Sequence, residues 1–173
     1  MIYLVGVEHT KSQWQYQNGS NENSIAGFTK FLRKHIKLFD IRAIAEELSE
    51  ECLEQQGVSK STGQTVAQEF HIEHVFCEPS AIERKNLGIL SPEEISAQLF
   101  PNKPYWQISE DSPEQQQINK EIQRLFRKRE EFWLSKIKHL RKENLIFICG
   151  KSHVESFKNL LKENKFEISI LYG

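Results

Sequence analysis

Long apolar runs are missing from this chain: no segment approaches the ~20 consecutive apolar residues that a membrane-crossing helix needs. The opening stretch, Met1 to His9, has no basic leader, and its apolar run is too short for a secretion signal. Cytoplasmic residence is the expectation. An excess of charge of one sign is missing too. Lys and Arg number 23 against 24 Asp and Glu, a balance that argues against a protein gripping nucleic acid through an overall positive field. Cysteine is scarce. Cys52, Cys77 and Cys149 are an odd set without CxxC spacing, and two of them lie in apolar runs, so they read as reduced core thiols. No Walker loop, GxGxxG, HExxH or GxSxG occurs, which removes the commoner nucleotide-binding, zinc-protease and serine-hydrolase readings.

What is present fits one globular domain. The 173 residues are enough for a core of their own, and 38% apolar with 27% charged residues excludes a disordered chain. Ile2 to Val7 is a continuous apolar run that turns abruptly polar at Glu8 and His9, as a strand buried on both faces does. Ile41 to Ala45, Ile72 to Cys77 and Leu145 to Cys149 are similar, and Phe166 to Tyr172 alternates. Five strands are expected.

Helical spacing fills the intervals. Ile25, Phe28, Phe31, Leu32, Ile36 and Phe39 make one apolar face behind Asn23 and Ser24. Shorter helices are expected over Ser49 to Gln56, Ser61 to Phe70 and Pro92 to Leu99, and a long amphipathic one from Pro113 to Lys142. Ser152-His-Val-Glu155 has the pattern of a capping box opening a last helix. Alternating strands and helices imply a three-layer α/β/α domain, a doubly wound, Rossmann-like fold on a mostly parallel sheet of about five strands. Winding outward from the first strand and returning to its other side would make strands one and four neighbours at the switch point, where such sheets place ligands. Two stretches, 10–23 and 85–112, are polar or proline-rich enough to be loops covering that crevice.

Ionisable residues stand where the buried strands end: Glu8-His9, Glu46-Glu47, Glu78 and His153. A charge after any one strand is ordinary loop chemistry, but in a parallel sheet all four ends share one edge. Strands one and four also end alike, as Gly6-Val-Glu-His9 and Gly150-Lys-Ser-His153, each with a glycine for a tight exit. If these strands are adjacent, His9, His153 and Glu46, with Glu78 nearby, suit a divalent metal such as Mn, Co, Ni or Zn. A solvated or core-satisfied histidine is the rival reading. Arg129 falls on the apolar stripe of the long helix, where an unpaired charge is costly. It must snorkel to the edge, reach Glu8, Glu46 or Glu47, or clamp an anionic substrate. Arg84 is a second candidate clamp, with a plain surface charge as its rival. Cys77 stands at a strand end without an evident activating base. Lys120 to Arg129 is basic, but the interleaved Glu121 and Glu130 read as a solvated face.

In these motifs, together with Ile44-Ala-Glu-Glu-Leu48, Arg129-Glu130 and Ile146-Phe-Ile-Cys-Gly-Lys-Ser-His153, the chain resembles the superfamily of TraB/TIKI-type proteins, ChaN-like haem-binding proteins and erythromycin-esterase-like hydrolases. The resemblance implies a His/Glu site at the sheet edge, with metal-dependent or His/Glu-based hydrolysis in some members and ligand binding in others. The chain departs from that pattern in being short and lacking a long helical insertion. Two functional expectations follow. The first is a hydrolase of ester, amide or phosphoester substrates, with His9, Glu46 and His153 holding a metal or activating water, Glu8 or Glu47 as base or ligand, and Arg129 stabilising negative charge. The second is a non-catalytic domain binding an anionic small molecule through Arg129 and helix N-termini.

Overall fold

The computed structural model describes residues 1–7 and 22–171, the side chains of 22–24 excepted. Glu8, His9, most of the first expected loop and Tyr172 lie outside the described residues. Strands β1 (Ile2–Val7), β2 (Ala43–Glu46), β3 (Glu73–Phe76), β4 (Leu145–Gly150) and β5 (Ile168–Leu171) form one sheet in the order β3-β2-β4-β1-β5, and every pairing is parallel. Helices α1 (Glu22–Phe39), α2 (Glu50–Gln55), α3 (Thr62–Phe70), α4 (Ala81–Leu87), α5 (Pro92–Leu99), α6 (Pro113–Ile137) and α7 (Val154–Glu163) complete the domain. The expected three-layer α/β/α architecture is present. Among the described residues no helix is long and apolar enough to cross a membrane.

Successive strand residues point to opposite faces, and each face has its own helices. Tyr3, Val5, Ile44, Ile146 and Ile148 pack with Leu32 and Ile36 of α1 and with Val66 and Ala67 of α3. Leu4, Ala45, Phe147 and Cys149 pack on the other face with Trp133 and Ile137 of α6 and with Phe157 and Leu161 of α7. Because both faces of the sheet are covered, its central strands read as unbroken apolar runs; all six residues of β4 are buried.

Strands one and four are indeed adjacent, in register from Ile2 opposite Leu145 to Val7 opposite Gly150. The expected route is corrected, however. Strand β4 does not flank β1 on the side away from β2; it lies between them, pairing with both. The most completely apolar strand thereby takes the central place, where water reaches neither face. The tips of β2 and β4 become direct neighbours, and the backbone N–H of Glu47 bonds to the carbonyl of Ile148.

Three further expectations are revised. The stretch 85–112 is no simple loop: it holds α5 and a 3₁₀ turn at Tyr105–Gln107, and with the start of α6 it buries a small core of Ile95, Ile108 and Ile118. Helix α4 was not foreseen, although Ser80 and Glu83 form a reciprocal capping box at its start. The capping box at Ser152 is absent. After β4 the chain turns through a 3₁₀ turn, Lys151–His153, which moves the N-cap of α7 to His153 with no side-chain cap bond.

Gly6 is needed for close approach rather than for a tight exit. A Cβ there would stand 2.7 Å from Cγ2 of Val154 and 3.4 Å from Cα of Lys151. Val154 has a branched, stiff side chain, so Gly6→Ala is expected to destabilise the domain by about 1–3 kcal/mol through overpacking. The check is a lowered urea midpoint at unchanged m-value.

Candidate functional site

Consecutive glutamates end β2, and the alternation of the strand sends them to opposite sides of the sheet. Glu46 turns toward α3 and is wholly buried. Its Oε1 accepts a short hydrogen bond from the Ser61 hydroxyl and lies 2.6 Å from Nε2 of His74, the residue two before the end of β3. Ser61 also caps α3, accepting from the backbone N–H of Gln64 at 2.9 Å. Gly63 is obligatory here, because a Cβ would come within 2.7 Å of the Glu46 carboxyl carbon. The sequence offered one signal for this group: Ile72, His74 and Phe76 alternate, so His74 shares a face with Phe76 and with Ile72 just before the strand.

Glu47 turns the other way, toward α6. Its Oε1 accepts from Nη2 of Arg129 at 2.6 Å, and its Oε2 accepts from the backbone N–H of Gly150 at 2.8 Å, so it joins the tips of β2 and β4. Glu78, just past β3, accepts from the same Arg129 Nη2 at 2.8 Å and from the indole N–H of Trp133 at 3.2 Å through Oε2. Its Oε1 accepts from Nη1 of Arg84 at 2.9 Å. Burial acts to lower the Arg129 guanidinium's pKa, but the neighbouring Glu78 and Glu47 carboxylates outweigh it and hold the group above its ordinary value. Arg129 is therefore paired, not snorkelled to solvent, and its partners are Glu47 and Glu78 rather than Glu46.

His153 closes the cluster. Only 3% exposed, it lies 4.8 Å centre to centre from the ring of Trp133 and 3.8 Å from that of Phe126. Nδ1 is 2.9 Å from Oε1 of Glu130, which also accepts from the Ser156 hydroxyl, while Nε2 faces Nη1 of Arg129 at 3.3 Å. A guanidinium has only donors to offer, so the tautomer that pairs with both neighbours accepts at Nε2 and donates Nδ1–H to Glu130. That is the neutral tautomer with its basic nitrogen turned toward Arg129 and Glu47, whose Oε1 is 3.6 Å away.

Glu130 corrects the reading of a solvated face. It is 1% exposed and holds the imidazole. The signal was its place on the helix, four after Phe126 and four before Leu134, in the middle of the apolar stripe.

The structure thus gathers Glu47, Glu78, Arg84, Arg129 and His153 on one side of the sheet edge and places Glu46 on the other. Of the expected metal set, His9 lies outside the described residues, and Glu46 is held by Ser61 and His74 on the face of the sheet opposite Glu78 and His153. Glu47 Oε1, Glu78 Oε2 and His153 Nε2 do converge, but on the guanidinium of Arg129, which already supplies the positive charge. Among the described residues no group of three or more His, Cys, Asp or Glu is arranged to hold a metal ion. This donor set fits an organic cation rather than a divalent metal. Cys77 is fully buried, and burial, with Glu46 nearby, pushes its thiol far above the ordinary range, the opposite of an activated nucleophile.

Two outcomes test this geometry. Arg129→Ala leaves the Glu47 and Glu78 carboxylates without their shared cation and is expected to cost about 3–5 kcal/mol of stability in chemical denaturation. Cys77 and Cys149, both buried and with raised thiol pKa values, are expected to resist alkylation at neutral pH in the folded protein and to react fully once it is unfolded.

In comparisons with known proteins, no family model, no curated protein and no solved structure matches this chain.

Proposed function

We propose that the chain is a hydrolase that works through its own side chains, with His153 as general base and Arg129 as the cation facing the developing oxyanion. The observation that carries this reading is the doubly anchored imidazole: Nδ1 is tied to the buried Glu130, and Nε2 is turned toward a guanidinium that two carboxylates hold in place. Fixing one ring nitrogen with a carboxylate sets the tautomer and the aim of the other, which is what general-base catalysis requires. The contact of 3.3 Å between Nε2 and Nη1 is long for a hydrogen bond, and the two groups must move apart to admit the attacking water between them.

In the proposed reaction the oxygen of that water bonds to the acyl or phosphoryl centre of the substrate, and its proton passes to Nε2. The charge built up on the substrate oxygen faces Arg129. As the bond to the leaving group breaks, the proton passes from Nε2 to the departing atom. Glu130 is a positioning residue; Glu47 and Glu78 hold Arg129.

The test is a screen of 4-nitrophenyl esters, amides and phosphoesters after dialysis against a chelator. Turnover is expected to persist without metal, and His153→Ala is expected to lower kcat by roughly 10²–10⁴-fold with the fold intact by circular dichroism. Glu130→Gln keeps the shape and is expected to reduce kcat more than it changes KM. Equal turnover by His153→Ala and the unaltered protein would overturn the reading. Activity lost on dialysis and restored by Mn, Co, Ni or Zn would replace the direct mechanism with a metal-assisted one.

A further inference from the structure

Arg129 keeps one donor without a partner among the described residues, its buried Nε, whereas the open donors of Arg84 reach solvent. Nη1 of Arg84 donates to Glu78, while its Nε and Nη2 meet no hydrogen-bond partner among the described residues, and its side chain is 31% exposed. It stands where two clefts adjoin. One, of about 170 Å³, is bounded by Ser49, Cys52, Glu78 and Pro79; the other, of about 310 Å³, by Lys85, Ile89 and Leu90; Ala81 and Arg84 line both. The acidic groups at their walls are already engaged. Glu51 accepts from the backbone N–H of Ala81 at 3.0 Å, Glu94 from that of Ser91 at 2.7 Å, and Glu78 from both arginines. The open donors that face solvent at these clefts are those of Arg84, with Lys85 beside it and an apolar floor at Ile89 and Leu90.

A guanidinium offering two parallel N–H groups matches the two oxygens of a carboxylate or phosphate. Arg84 and Arg129 are joined through the two oxygens of one carboxylate, Glu78, so an anion on Arg84 lies next to the centre proposed above. We infer that Arg84 is the anion subsite of that centre and that the substrate carries a carboxylate or phosphate on a short apolar stem, away from the bond that is cleaved. As a statement about substrate this rests on the hydrolase reading. As a statement about binding it stands alone.

The experiment keeps the two apart. Succinate and inorganic phosphate are titrated into the whole protein, observed by the arginine Nε–Hε resonances, with Arg84→Met, Arg84→Lys and His153→Ala alongside. Saturable shifts are expected for the unaltered protein and for His153→Ala, with at least tenfold weaker binding in both Arg84 variants, since lysine keeps the charge but not the fork. The stronger of the two anions identifies the head group. Absence of saturable binding of either anion, or equal binding by Arg84→Met, would overturn the inference. In parallel, mono-4-nitrophenyl succinate is compared with 4-nitrophenyl butyrate. The ratio of kcat/KM for the charged over the neutral ester is expected to fall at least tenfold in Arg84→Met. If neither ester is cleaved while Arg84-dependent anion binding persists, the hydrolase reading fails and the subsite stands. Cleavage of both esters with no charge preference removes the subsite and leaves the hydrolase.

Discussion

A guanidinium on the apolar side of a helix cannot be left alone, and the way Arg129 is satisfied organises the whole C-terminal edge of the sheet. One nitrogen, Nη2, draws Glu47 from the tip of β2 and Glu78 from beyond β3 to the same point, while Nη1 meets His153 after β4. Three strand ends and the middle of α6 are thereby tied by charge in a place where Trp133 and Phe126 exclude most water. Interactions of this kind gain strength as the surroundings become less polar, and so does the penalty for breaking them. His153 meets this network through both ring nitrogens, at Arg129 and at Glu130.

The insertion of β4 between β1 and β2 is what makes this convergence geometrically available. With β2 and β4 adjacent, the Glu47 carboxylate reaches the N–H of Gly150, and the turn that follows Gly150 brings His153 under α6. The two glutamates of β2 then serve different ends. Glu46 fastens the start of α3 through Ser61 and meets His74 on one side, and Glu47 belongs to the charged cluster on the other. Consecutive residues in a strand cannot share a site on one face, which is a constraint of the pleat and not of these particular side chains.

Much of the fold was legible because burial on both faces writes continuous apolar runs. Ile2–Val7 is bounded as its run is, and β4 extends it by one residue to Gly150. The shorter strands begin later than their runs, because Ile41 is 2% exposed without being in the ladder of β2; hydrophobicity reports burial, and pairing is a separate matter. Helix α4 escaped notice because none of its residues is buried, so it has no apolar period to show and only its capping box marked it. In the cluster, Glu47, Glu78, Arg129 and His153 were each identifiable from strand ends or from a charge on an apolar stripe, and Arg84 only as a second candidate clamp. Their grouping was not, since it depends on strand order and on which face each glutamate takes. Glu130 was passed over because a glutamate among lysines and arginines looks solvated unless its helical neighbours at four residues on either side are weighed first.

The composition of the cluster bears on its purpose. A leucine at position 129 would complete the stripe that runs through Phe126, Trp133 and Ile137, and exchanging buried ion networks for well-packed apolar side chains is commonly neutral or stabilising. Three carboxylates, Glu47, Glu78 and Glu130, and two guanidinium groups, Arg84 and Arg129, are instead assembled around one imidazole. Stability alone does not call for that arrangement. The hydrolase proposed above would use the carboxylate-anchored imidazole to take a proton from water, a role that an apolar side chain at the same place could not fill.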